Sequence, residues 1–358
     1  ARQFRSTLEA ALHADDIPTA VVENLVATAR AGTEPLRRYH RLRKRVLGLE
    51  TYHAYDPLVP LIDLDRKYEY SKVLDEIVEA MKPLGTEYQQ NVRLAFEGRW
   101  IDVYENPGKR SGAYSAPVYG VHPYMLLNYT DTLDSVFTLA HEMGHSMHTM
   151  LSEAHQPFVY SDYTIFVAEV PSTLSEMLFF DHMLSHTTDQ RERIVLLQHA
   201  IDDIVGTFYR QCLFADYELQ AHRLAEKGEP ITAEGLSRLY FDLFKAYHGD
   251  AMTYDDAAQI TWARVPHFFG SPYYVYQYAT CYASSAQLIQ RITSGSVDER
   301  REGVGQFLNL LRAGGSDYPM NLLKRAGVDL STPPPAEAVV RQLDIRVSQL
   351  EAEIEKLT

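Results

Sequence analysis

Cysteine is scarce. Cys212 and Cys281 are the only two in 358 residues, which excludes a disulfide framework, leaves room for one bridge at most, and makes a reducing compartment the default. Both read as buried thiols. Long apolar runs are also absent: no stretch approaches the roughly 18 residues that a membrane helix needs, so no membrane span is expected. Basic charge is in deficit, with 34 Lys and Arg against 48 Asp and Glu and a formal net charge of −14. Neutralising phosphates requires a basic surface, so nucleic-acid binding is not expected. The lone basic run, Arg37-Arg38 through Arg41-Leu42-Arg43-Lys44-Arg45, reads as the solvated face of a helix. The opening Ala1-Arg2-Gln3-Phe4-Arg5 carries neither an initiator Met nor an apolar stretch ending in a cleavage site. No signal peptide is expected there.

What remains is a globular composition, 46% hydrophobic and 23% charged, in a chain long enough for one large domain or two ordinary ones. Helical periods dominate residues 6–31, 34–48, 68–98 (interrupted near Pro83) and 191–226, so the fold class is mainly α. Residues 100–130 differ. Trp100-Ile101-Asp102-Val103-Tyr104, Gly112-Ala113-Tyr114-Ser115 and Met125-Leu126-Leu127-Asn128-Tyr129 are short, β-branched or aromatic, and bounded by Gly, Pro and Asn, which predicts a small β-sheet. A strand there offers an edge on which an extended peptide can add its own backbone. Gly108-Lys109-Arg110-Ser111-Gly112 lacks the GxxxxGK[ST] pattern of a phosphate loop and reads as a turn. After Pro333-Pro334-Pro335, a helical seam of Val340, Leu343, Val347, Leu350, Ile354 and Leu357 spans under three heptads. It is expected to dock on the protein's own body. No repeat of fixed period is evident.

The strongest signal is His141-Glu142-Met143-Gly144-His145, an HExxH motif inside an amphipathic run from about Asp131 to Leu151. Side chains at i and i+4 share a helix face, so both imidazoles can reach one zinc ion, while Glu142 sits one residue round and can address a water without being a ligand. Random placement would produce such a motif only about 0.04 times in a chain of this composition. Catalytic zinc takes three protein ligands as a rule. Glu169, 24 residues after His145, is the candidate for the third, at a distance that allows a loop and a second helix. A carboxylate favouring its own helix N-terminus is the other reading of Glu169. Glu176, two turns further along the same face, is placed to orient a ligating imidazole. His148 also falls on the metal face, but three ligands from one straight helix would spread about 10 Å along its axis. It reads as support for a ligand or as a packed core histidine.

HEMGHSMH, FVAEVPSTLSE and PHFFGSPYYVYQYATCYASS together resemble the oligoendopeptidase F family of thimet oligopeptidase-like zinc peptidases. Leu47-Gly48-Leu49, Tyr55-Asp56-Pro57-Leu58-Val59-Pro60, the turn Gly108 to Tyr114, His122-Pro123 and Asn128-Tyr129 are similar too, so the resemblance runs through the whole chain. It implies a large helical zinc-peptidase domain with a deep channel and a small sheet beside the site. It also implies one Zn2+ per chain, cytoplasmic location and short peptides as substrates. Family members carry a further N-terminal helical region ahead of what corresponds to Ala1, and that region forms one wall of the channel. On this basis residues 1–98 flank the channel, 99–330 form the catalytic region and 331–358 the C-terminal helix.

Pro266-His267-Phe268-Phe269-Gly270-Ser271-Pro272-Tyr273-Tyr274-Val275-Tyr276-Gln277-Tyr278 packs one His and several of the chain's 24 Tyr into a short stretch. Taken alone it reads as core-edge packing. The resemblance instead makes His267 a substrate-binding residue and the tyrosines donors to an oxyanion. Tyr274 and Tyr278, i and i+4, are the chosen pair, although the neighbourhood of Pro272 departs from the Gly-Gly-Tyr of thimet oligopeptidase. The expected activity is therefore hydrolysis of internal bonds in short oligopeptides, with His141, His145 and Glu169 on the metal and Glu142 as base and then acid. Two other readings stand beside it: a catalytically silent helical module that holds zinc or a peptide, and an exopeptidase on the same HExxH plan. Nothing in the sequence sets the oligomeric state.

Overall fold

The computed structural model describes residues 3–357. Contacts divide the chain into two compact units: Ala1–Asp63 with Asp189–Ala283 and Leu330–Thr358, and Leu64–Thr188 with Ser284–Asp329. Each unit is discontinuous in sequence, so they cut across the contiguous segments 1–98, 99–330 and 331–358.

The first unit is helical. Its N-terminal stretch forms helices Thr7–Leu12 and Ala20–Ala31 rather than one helix over 6–31. The break follows from Asp16, which turns to φ 51°, and from Pro18, whose ring disfavours helical backbone at Ile17. The run over 191–226 is continuous but changes pitch: Gln190–Asp203 and Arg210–Glu226 are α-helical and Ile204–Tyr209 between them is π-helical. The basic run lies on helix Glu34–Val46, and at Arg43 the solvated-face reading fails, because this side chain is fully buried. Its position four residues after Tyr39 puts it on the inner face, where its guanidinium donates to the hydroxyls of Tyr52 (2.9 Å) and Tyr39 (3.0 Å) and to the carbonyls of Pro57 (3.1 Å) and Val59. The loop over 52–59 thus closes on a buried cation whose donors are satisfied. The C-terminal helix Pro334–Glu355 buries Val339, Leu343, Val347 and Leu350. It is tied to helix Gln190–Asp203 by Arg193 and Glu353 at 3.0 Å, so the seam docks on the protein's own body. Cys212 and Cys281 are both buried.

The second unit holds helices Tyr70–Ala80 and Thr86–Glu97, separated by a 3-10 turn at Lys82–Leu84 where Pro83 interrupts the period, then the sheet, then helices Leu133–His155, Ile165–His186, Val297–Ala313 and Pro319–Arg325. Strands β1 (Ile101–Asp102), β2 (Tyr114–Ala116) and β3 (Tyr124–Leu126) are ordered β1-β3-β2, with β1 parallel and β2 antiparallel to β3. Among the described residues β2 is an edge strand, paired with β3 alone. No described helix is long and apolar enough to cross a membrane.

Candidate metal centre

Helix Leu133–His155 begins at Thr132, whose side chain accepts from the Ser135 amide at 3.2 Å, capping an otherwise unpaired N–H. One turn separates His141 from His145, and the two rings face each other edge-on with centroids 4.8 Å apart. Glu169 arrives from helix Ile165–His186. What lets the two helices meet is Gly144: a Cβ there would lie 2.5 Å from the Pro171 carbonyl oxygen and 2.6 Å from Ser172 Cα. Glycine costs about 1 kcal/mol in a helix interior relative to alanine, and here it admits backbone where a side chain would stand.

The result is a triangle of donors. His141 Nε2 and His145 Nε2 are 3.1 Å apart, and each lies near Glu169 Oε2, at 3.2 and 3.3 Å respectively. Ligands about 2.0–2.1 Å from a tetrahedral zinc ion lie about 3.3 Å from one another, so the three edges and the N, N, O donor set fit that ion. Among the described residues this is the group able to hold a metal. Two contacts hold the donors in register: His141 Nδ1 hydrogen-bonds Glu176 Oε1 at 2.5 Å, which leaves Nε2 for a metal, and Ser172 Oγ donates to Glu169 Oε2 at 2.9 Å.

Burial lowers the pKa of His141, but its hydrogen bonds to Glu169 and Glu176 outweigh burial and hold it well above the ordinary imidazole range. Burial would raise Glu169, yet both histidines hold its carboxylate far below the usual range. Glu142 is buried and pushed up by that burial, partly offset by the two histidines. Its Oε2 has no hydrogen-bond partner in the protein. His148 is buried, stacked on Tyr163 with centroids 3.5 Å apart, and pushed down to about 3 by burial and by His145. It is a packed neutral imidazole, and Glu169 takes the third corner.

A cavity of about 670 Å³ opens on this triangle, lined by His141, Glu142, His145 and Glu169 and also by Tyr114, Ser115, Tyr119 and Phe158. A second cavity of the same volume, bounded by Lys82, His182 and Arg300, holds no such donor group, so chemistry and not size marks the site. Strand β2 borders the first cavity, joined to the motif helix by Ser115 Oγ and Ser146 Oγ at 2.9 Å. Sequence reasoning missed Gly144 and Ser172. The glycine in a helix interior was the available signal.

His267, Tyr274 and Tyr278 belong to the first unit and cluster there. The His267 and Tyr274 rings are nearly parallel, 8° apart with centroids at 5.4 Å, and Tyr278 stands edge-on to both at 6.3 and 5.6 Å.

The chain thus joins a helical fold to a donor set able to hold a metal. It belongs to peptidase family M3, whose family model matches residues 1–342. The chain is 41% identical over 351 residues to the oligopeptidase PepF of Bacillus subtilis, covering 98% of this chain and 52% of that protein. With the group B oligopeptidase PepB of Streptococcus agalactiae it shares 39% identity, covering 97% of this chain and 57% of that one. The crystal structure of oligoendopeptidase-F from Enterococcus faecium superposes with a TM-score of 0.78 at 31% identity, over 99% of this chain and 56% of that one. The resemblance to the oligoendopeptidase F family and the mainly helical fold with its small sheet are both borne out. The chain spans about half the length of the curated relatives it matches.

Proposed function

We propose that this chain is the catalytic portion of a zinc-dependent endopeptidase acting on internal bonds of short oligopeptides. The observation that carries the reading is the unpartnered, buried Oε2 of Glu142 beside a three-donor triangle in a cleft. His141, His145 and Glu169 would hold a zinc ion, which when bound would lower the pKa of a water to about 7 and polarise a peptide carbonyl. Glu142 takes the proton of that water on Oε2 and later delivers it to the departing amine, a task favoured by a carboxyl pKa that burial raises. The edge of β2 can pair with an extended peptide, with Tyr114, Tyr119 and Phe158 beside it to receive side chains. His267, Tyr274 and Tyr278 are assigned to the oxyanion and the peptide backbone, on the strength of the motif that carries them. Cytoplasmic location rests on the resemblance alone.

Glu142→Gln tests this reading. Gln keeps the size and a hydrogen bond to water but accepts no proton near neutral pH, so single-turnover cleavage of a short peptide should fall by about 10² to 10⁴ while zinc content and peptide affinity hold. Wild-type turnover in a zinc-loaded Glu142→Gln protein would refute the mechanism. Loss of zinc along with activity would instead make Glu142 a support of the metal site.

A further inference from the structure

The segment between the short helix His267–Gly270 and helix Tyr276–Thr293 has one residue in an unusual backbone state: Tyr273, at φ 57°. Left-handed backbone is open to Gly and tolerated by Asn, and it is unfavourable for a bulky aromatic side chain. Such a conformation persists only where its surroundings over-determine it. Tyr273 is pinned at three points. Its amide donates to Glu218 Oε1 at 2.6 Å, its hydroxyl and Thr7 Oγ1 share a hydrogen bond at 2.8 Å, and its ring lies 4.6 Å from that of His222. Thr7 is held in turn by Glu226 Oε1 at 2.6 Å from both its amide and its hydroxyl. Glu218, His222 and Glu226 are successive positions on one face of helix Arg210–Glu226.

Glu218 is the unusual member of this face. It is 4% exposed, a costly place for a carboxyl group, and neither the metal triangle nor the packing of apolar side chains needs it. Its hydrogen bond is spent on the one backbone amide that fixes the turn immediately before Tyr274. From that turn Tyr274 stacks against His267, two residues ahead of helix Tyr276–Thr293, which carries Tyr278.

We infer that Glu218 is a positioning residue: by holding the amide of left-handed Tyr273, it aims Tyr274 and, through it, the His267–Tyr278 cluster at the peptide. This rests on the proposed role of that cluster. Glu218 touches no substrate itself and acts only through the turn.

The test compares Glu218→Leu, Glu218→Gln and His267→Ala in the zinc-loaded 358-residue chain, with amide hydrogen exchange over residues 271–275 as a readout independent of turnover. Leucine fills the site without an acceptor, whereas the glutamine side-chain oxygen still accepts from the Tyr273 amide. Glu218→Leu should speed exchange at residues 271–275 about tenfold or more, because the amide loses its clamp. It should lower kcat about tenfold with KM within about twofold, as expected of lost aim rather than lost peptide binding. Glu218→Gln should restore both to within about threefold of wild type. Unchanged exchange in the leucine variant, or a glutamine variant as impaired as leucine, overturns the inference. If His267→Ala lowers kcat and Glu218→Leu does not, the inference fails and the function reading stands. If both leave kcat at the wild-type value, the role assigned to the cluster fails with it.

Discussion

His40 and His248 lie together in the first unit, ring centroids 5.4 Å apart, His40 buried and His248 half-buried. Neither ring nitrogen of His40 has a hydrogen-bond partner, and burial, then His248 and Arg43, push its pKa well down. His248 is pushed down to about 4, by burial first, with Arg37 and Arg210 adding to it and the hydrogen bond to the Phe244 carbonyl opposing. Unfolded imidazoles titrate near 6.5. Below that pH the unfolded chain takes up protons that the folded one refuses, so this stability is fully present above about 6.5 and is lost as pH falls toward 4. For His248 the loss is on the order of 3 kcal/mol. Glu218 works in the opposite sense. Burial raises its pKa to about 7, partly offset by the Tyr273 amide, so its contribution is present at low pH and lost as pH rises from about 4.5 to 7. The histidine effect is therefore read as a difference. His248→Asn keeps a donor near the Nδ1 position without titrating, and its denaturation free energy between pH 6.5 and 4 should fall less steeply than that of the wild type. Equal slopes would remove His248 from the acid response. Neither these histidines nor Arg43 are legible in the sequence, where a buried charge and a solvated one are the same letter. Only the Tyr39–Arg43 spacing hints at an inward face.

Between helices, legibility depends on whether a role lies within one period or across the fold. The HExxH spacing sets two imidazoles on one face by helix geometry alone, and the observed helix Leu133–His155 carries them so. Glu169 was chosen as the third ligand on its spacing from His145, which permits a loop and a second helix but does not by itself fix where the carboxylate points. Gly144 acts on residues 27 positions away, where no local pattern points. Pro171, inside the second helix, sits in a stretch where hydroxyls bond the backbone: Thr173 Oγ1 donates to the Glu169 carbonyl (2.6 Å), Ser175 Oγ to that of Pro171 (2.8 Å) and Ser285 Oγ to that of Val170 (2.8 Å). A packed backbone contact of this kind has little room to give. Gly144→Ala should cost about 1–3 kcal/mol of stability through overpacking. It should also weaken zinc binding at least tenfold as Glu169 is pushed off the triangle, in the range seen when support of a metal ligand is lost. Titration with a competing chelator and a thermal melt check both. Wild-type zinc affinity and melting in the alanine variant would show that the helices part without moving Glu169.

At the scale of the molecule, helix content and the small sheet were readable because their periods are local, whereas the division into two discontinuous units was not. The C-terminal helix returns to helix Gln190–Asp203, far from it in sequence. The peptidase family M3 match spans the motif helix, the Glu169 helix and the His267 stretch alike, and the proposed chemistry turns on a metal that the first two would hold. An anomalous-scattering map at the zinc edge from crystals of the zinc-loaded chain addresses that directly. It should show one peak per chain about 2.0–2.2 Å from His141 Nε2, His145 Nε2 and a carboxylate oxygen of Glu169. A peak more than about 3 Å from any of the three, or a fourth protein ligand closing the site, would contradict a catalytic zinc centre.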